Sequence, residues 1–247
     1  MIEIETSGGV QRIRLNRPDK KNALTGEMYA ALAEALERPG DGVRAHLLSG
    51  VPGAFTAGND IGDFLAMAEG GMQETPVVRF LRALAHCETP IVAAVDGLAI
   101  GIGTTLLFHC DMVIASRRSV FRTPFLDLGL VPEAGASLLA PRTMGHARAF
   151  ELLCLGEPFD AARAQAAGFV NHVVAEDEVE ARALAAASAI AAKPAEAMRL
   201  SRALLWGDRA ELRSRMEEEI RLFTERLASE EAKAAFTAFM ARSRKGS

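Results

Sequence analysis

Three short stretches of this chain carry the residues that could do chemistry. Two are glycine-rich and follow apolar runs: "GAFTAGNDIGDF" at 53–64 and "AVDGLAIGIGTTLL" at 94–107. Each reads as a strand that turns through small residues into a helix, and the first N–H groups of such a helix are free donors. Two of these turns converging on one oxygen atom would form an oxyanion hole. Taken singly, either set of glycines equally suits a tight turn. The third stretch, "SVFRTPFLDLGLVPEAG" at 119–135, holds two acids, Asp127 and Glu133. Pro132-Glu133 also suits a first helical turn, where a carboxylate complements the macrodipole. Asp127 suits a solvent-facing or capping role. Asp60 is placed to order the loop before it or to cap the next helix.

Other chemistries lack their residues. The five histidines form no H-x-x-x-H or His/Cys cluster, so no metal is expected. Ser137 lies in no G-x-S-x-G elbow. "GIGTTL" lacks the third glycine of a dinucleotide fingerprint and the acidic residue that should follow about 20 positions later.

The elements that must position these residues follow from periodicity. Residues 2–15 alternate around Gly8-Gly9 as a hairpin. Met28, Ala31, Leu32, Ala35 and Leu36 recur at helical spacing behind a Thr25 N-cap. Strands are expected at "VRAHLLSG", "IVAAVDG" and "DMVIAS", with helices around "VVRFLRALAHC" and "GTTLLFHC". That alternation implies an α/β core with crossover connections. Beyond residue 137 only "FVNHVV" looks extended. Four Ala- and charge-rich helices fill the remainder, beginning at "VEARALAAASAIAAK" and ending at "EEAKAAFTAFMARSRK".

With 247 residues and 49% hydrophobic content, the chain can bury a large core. A net charge of −4, without basic runs interleaved with aromatics, argues against nucleic acid. Cys87, Cys110 and Cys154 sit among apolar residues and read as buried thiols in a reducing compartment. The N-terminus has no basic and apolar leader, and no apolar run reaches the roughly 18 residues of a membrane span, so a cytoplasmic location without membrane association is expected.

Several separated motifs, in order, resemble the enoyl-CoA hydratase/isomerase, or crotonase, superfamily: "LNRPDKKNAL", "AFTAGNDI", "AAVDGLAIGIGTTLLFHCDMVIAS", "VFRTPFLDLGLVPEAGA" and "FDAARAQAAGFVNHVV". The resemblance implies an α/β crotonase-like spiral of ββα units over residues 1–190. A C-terminal α-helical trimerisation region over 191–247 would complete the same functional domain. It implies an acyl-CoA thioester as substrate, no separate cofactor because coenzyme A is part of that substrate, and a homotrimer or hexamer. Its oxyanion donors fall on the backbone N–H groups of Asn59 and Ile102. Substrate contacts fall on Lys21, Ala23, Ala57, Gly58, Asp60, Ile61, Gly101 and Phe125. Lys20 and Lys21 also read as ordinary turn lysines.

Hydratases of the family carry two glutamates that hold the water they add. Here those positions are Thr105 and Phe125, which can neither activate water nor return a proton. Glu133, eight positions after Phe125, stands where Δ3,Δ2-enoyl-CoA isomerases of the peroxisomal type carry their single glutamate. The resemblance therefore implies an isomerase with Glu133 as its only acid/base, and Phe125 keeping the pocket dry. Alternatives are another acyl-CoA reaction on the same fold, including hydration, hydrolysis or dehalogenation through Asp127 or a bound water, or a non-catalytic acyl-CoA-binding module. Phe64, Phe80 and Phe236 are candidates for an acyl tunnel and equally for plain core. Its depth depends on how residues 63–80 and the C-terminal helices pack.

Overall fold

The computed structural model describes residues 1–69 and 74–245, so part of the 63–80 segment expected to set pocket depth, and the last two residues of the 191–247 region, lie outside the described residues. The chain opens with the hairpin β1 (Ile2–Ser7) and β2 (Val10–Leu15), then α1 (Gly26–Glu37), whose N-cap Thr25 accepts from the Met28 N–H. Three strand pairs follow: β3 (Ala45–Ser49) and β4 (Ala54–Thr56), then, after α2 (Ile61–Glu69) and α3 (Pro76–His86), β5 (Ile91–Val95) and β6 (Leu98–Ile100). After the short α4 (Ile102–Thr105) come β7 (Met112–Ser116) and β8 (Val120–Arg122).

In each pair the first strand joins a six-stranded sheet and the second a four-stranded one. The remaining members are α5 (Ala136–Met144), α6 (His146–Phe150), β9 (Phe159–Asp160), α7 (Ala161–Ala167) and β10 (His172–Val174). The sheet orders are β1-β2-β3-β5-β7-β10 and β4-β6-β8-β9. Only the β1-β2 and β8-β9 pairs are antiparallel. This is the expected spiral, with one strand added to each sheet per turn.

Burial explains the strand sequences. All five residues of β3 and of β5 are buried, as strands of a parallel sheet covered on both faces should be; β5 is wholly apolar, while β3 also buries His46 and Ser49. One face packs on α8 (Val179–Ala191), whose Val179, Ala183 and Ala187 recur every four residues against Val10, Leu47, Val92 and Ile114. The other face joins the main core with α1 and α3, where Tyr29 and Phe80 have ring centroids 5.5 Å apart. At the outer edge β1 exposes Glu3 and Glu5, charges that discourage pairing with another strand.

The C-terminal helices are α9 (Ala195–Trp206), α10 (Ala210–Leu227) and α11 (Glu230–Lys245). α10 brings Leu212, Met216, Ile220 and Phe223 back into the main core. No described helix is long and apolar enough to cross a membrane.

Three expectations need correction. Strands β4, β6, β8 and β9 were not anticipated individually, because two or three residues carry no measurable period, and neither were helices α5 to α7, which at five to nine residues are short for a helical period to show. Only Cys87 among the three free thiols is fully buried. Glu133 does not sit in a first helical turn: α5 begins at Ala136, and the Glu133 carbonyl accepts from the Ala136 N–H at 3.1 Å.

Candidate active site

A cavity of about 770 Å³ opens between the four-stranded sheet, α1, α3 and the C-terminal helices α10 and α11. Both glycine-rich turns line it. In the first, Leu24 bridges Asn59 in parallel fashion, receiving the Asp60 N–H at 2.9 Å and giving its own N–H to the Gly58 carbonyl at 2.8 Å. The intervening Asn59 N–H donates to no acceptor among the described residues. In the second, Gly101 is the N-cap of α4 at φ 58°, ψ −121°, a conformation open to glycine. Its carbonyl takes the Thr104 and Thr105 N–H groups, and Ile102 N–H is left as a helix-start orphan. Two such donors, from residues lining one cavity, suit an oxygen that gains negative charge.

Glu133 lines the same cavity at 8% exposure. Its Oε1 accepts from the Thr105 hydroxyl, 28 residues earlier in the chain. No cation pairs with it among the described residues. Burial is the main force on the carboxyl and pushes its pKa up to about 8; the Thr105 hydrogen bond opposes this, and the charge of Glu219 on α10 adds to it. Phe125, 6% exposed, lines the same cavity. Thr105 touches Glu133, and Phe125 adds an apolar side chain to the cavity lining.

Residues named from the sequence fall into two groups. Ala57, Gly58, Asn59, Ile61, Gly101, Ile102, Phe125 and Glu133 line the cavity. Lys21, Ala23 and Asp60 do not; they belong to a scaffold behind it. The Lys21 carbonyl accepts from Ala57 N–H at 2.9 Å. Arg17 donates to the Ala23 carbonyl at 2.9 Å and to Asp60 Oδ2 at 2.8 Å. That arginine holds the Asp60 carboxyl below its usual range, and Asp60 Oδ1 accepts from Asp63 N–H at 3.3 Å at the start of α2. Asp60 thus orders its loop and caps a helix. Asn22, fully buried, donates to the Ala54 and Phe55 carbonyls at 2.9 and 3.1 Å and ties the N-terminal loop to β4.

Asp127 lines the cavity mouth, but its side chain is 55% exposed and pairs with Arg122 at 2.9 Å. Phe64 and Phe236 line the cavity, joined by Phe223 and Phe239; Phe80 does not, and packs on Tyr29 instead.

Two participants were missed. Tyr29, fully buried on α1, lines the cavity and donates to Asn59 Oδ1. Burial, and then the charge of Glu133, raise its phenol well above the usual value, so it stays a donor. Glu219 was hidden in "RMEEEIRLF", where three consecutive glutamates read as a solvated face. Helical phase held a signal: Leu212, Met216, Glu219, Ile220 and Phe223 share one stripe.

The chain is similar to known proteins along nearly its whole length. Residues 5–245 match the family model described as enoyl-CoA hydratase/isomerase. A solved enoyl-CoA hydratase/isomerase from Pseudoalteromonas atlantica T6c is 42% identical, with a TM-score of 0.92, covering 98% of this chain and 97% of that one. Enoyl-CoA delta isomerase 2 of Rattus norvegicus is 36% identical over 98% of this chain, which spans only 63% of that relative's length. A probable enoyl-CoA hydratase of Rhizobium meliloti (strain 1021) is 35% identical, covering 97% of this chain and 94% of its own.

Proposed function

Since the chain belongs to the enoyl-CoA hydratase/isomerase family, we propose that it is an acyl-CoA enzyme, and specifically a Δ3,Δ2-enoyl-CoA isomerase. One observation carries the choice. Among the described residues the cavity contains a single buried carboxyl, Glu133, while the two places for paired water-holding glutamates are filled by Thr105 and Phe125.

A double-bond shift needs one proton carrier. The ionised Glu133 carboxylate takes a proton from C2 of a 3-enoyl thioester, and the electron pair of that C–H bond moves into a dienolate. Negative charge collects on the thioester oxygen, within reach of the Asn59 and Ile102 N–H groups. Each donor of this kind contributes on the order of 3 kcal/mol. Glu133 then returns the proton at C4, leaving the conjugated 2-enoyl product and the original carboxylate. Water is neither consumed nor released, and no cofactor takes part; coenzyme A is a portion of the substrate. The raised pKa makes Glu133 a stronger base for the first step than an exposed glutamate. The phenylalanines of the cavity suit an apolar acyl chain. We place the enzyme in the cytoplasm as a homotrimer or hexamer, by analogy with the family.

The test is an assay of the purified protein with a 3-enoyl-CoA and, in parallel, crotonyl-CoA. The expected result is formation of the conjugated product, lost in Glu133→Gln. Rapid hydration of crotonyl-CoA would replace this reading with a hydratase, and tight CoA-ester binding without turnover would replace it with a binding module.

A further inference from the structure

The turn that carries Glu133 is gripped from outside the cavity by a second buried carboxyl. Glu219 is 4% exposed, and its two oxygens accept from the Gly135 N–H at 2.6 Å and the Ser137 N–H at 3.0 Å. These donors open α5, whose N-cap Gly135 has no side chain to satisfy them. The chain enters the helix through Ala134 at φ 59° and Gly135 at φ 69°, two left-handed residues directly after Glu133. An alanine stays in that region only where its surroundings fix it. A Cβ on Gly135 would lie 2.4 Å from Leu212 Cδ1, so α10 presses on the turn as well as bonding to it. From the other side His109 Nε2 meets the Ala134 carbonyl at 2.6 Å. Burial keeps that imidazole neutral, with its pKa lowered to about 4, so the ring N–H donates.

Resting on the isomerase reading above, we propose that Glu219 is a positioning residue for the reaction, its two hydrogen bonds fixing the left-handed turn that aims the Glu133 carboxyl into the cavity. Its charge has a second effect. Glu219 adds to the burial that raises Glu133, against the opposing Thr105 hydrogen bond. Glu219 is itself raised, chiefly by burial, while its bonds to Ser137 and Gly135 and the charge of Arg215 oppose that rise. The other titratable groups facing the pair are the Tyr29 phenol and the neutral His109. Removing the Glu219 charge should therefore let the Glu133 carboxyl titrate lower.

The experiment measures kcat and KM for a 3-enoyl-CoA from neutral to alkaline pH in wild type, Glu219→Gln and Glu219→Asp, with a thermal melt of each. Glu219→Gln keeps the shape but loses the charge and one acceptor. Its kcat is expected to fall about tenfold or more through misplacement of Glu133, with KM within about twofold. Its pH limb should move down by about half a unit or more. Glu219→Asp keeps the charge but withdraws the oxygens, so kcat should fall while the limb stays in place. Wild-type kcat, KM and limb in Glu219→Gln would overturn the proposal. So would loss of the fold in both variants, which would mark a purely structural role. Glu133→Gln separates the two ideas: if it keeps turnover, the isomerase reading fails whatever Glu219 does; if it is inactive while Glu219→Gln is normal, only the present inference fails.

Discussion

Asp127 and Glu133 lie six positions apart and both reach the same cavity, yet their surroundings differ in kind. Asp127 sits in the short 126–128 turn at the mouth, more than half exposed and paired with Arg122. Glu133 lies deeper, with a hydroxyl as its hydrogen-bond partner and apolar side chains lining the same cavity. Asp127 stands in water at the mouth, held by its ion pair with Arg122. A carboxyl stripped of water and offered only a hydroxyl holds its proton more tightly, and so can both remove and return one near neutral pH. Distance along the chain says nothing of this; burial and partner decide it.

The sharpest way to break the contrast is to neutralise each acid in turn. Glu133→Gln should cost roughly 10²- to 10⁴-fold in turnover of a 3-enoyl-CoA, the usual range for a lost general acid/base. Equal losses in Glu133→Gln and Asp127→Asn would erase the distinction. A second consequence concerns pH. The ionised form of Glu133 does the work, so kcat/KM should rise with pH along a limb near the carboxyl's value of about 8. A flat profile from neutral to alkaline pH would remove Glu133 from the role of base.

Thr105→Val should act more weakly. It removes the bond that lowers the Glu133 pKa, so the limb should move to higher pH and turnover at neutral pH should fall by about three- to tenfold. A limb moving the other way would mean that the hydroxyl favours the protonated acid.

Stability carries the same signature with opposite benefit. The folded pKa of Glu133 lies above the ordinary 4.5, so the folded protein holds a proton that the unfolded chain has released between about 4.5 and about 8. Stability therefore falls as pH rises through that window and levels off above it. Glu133→Gln lacks this contribution to the slope, leaving that of the likewise raised Glu219. The variant's melting temperature should exceed the wild type's above the limb while its activity is lost; equal melting temperatures there would show that the buried charge costs little.

Asp127→Asn is the smallest expected effect. It breaks a half-exposed ion pair worth at most about 1 kcal/mol, and turnover should stay within about twofold of wild type.

Much of the fold was legible because its main strands and helices are long enough to show their periods. The five-residue runs of β3, β5 and β7 read as buried strands, and α1 declared its cap at Thr25. The second sheet was not legible, since its strands have only two or three residues and owe their conformation to neighbours supplied by other turns of the spiral. The site divides the same way. Asn59, Ile102 and Glu133 were reached through the family resemblance carried by the glycine-rich turns and "LVPEAG"; glycine spacing or the proline alone equally suits a tight turn or a helix start. Tyr29 and Glu219 were not, because each lies in an ordinary amphipathic helix and gains its role only from the loop it meets.

The sequence by itself determined which residue types stand at which positions: two glycine turns that free backbone donors, threonine and phenylalanine where paired acids would be needed, and one glutamate after Pro132. Tertiary structure decided what that glutamate is. It brought Thr105 to the Glu133 carboxyl, set Glu219 under its turn and closed the cavity with helices from the far end of the chain. Hydrogen-bonding capacity belongs to a residue type, whereas proton affinity depends on nearby charge and on the water excluded around it. Those are properties of groups that meet only on folding.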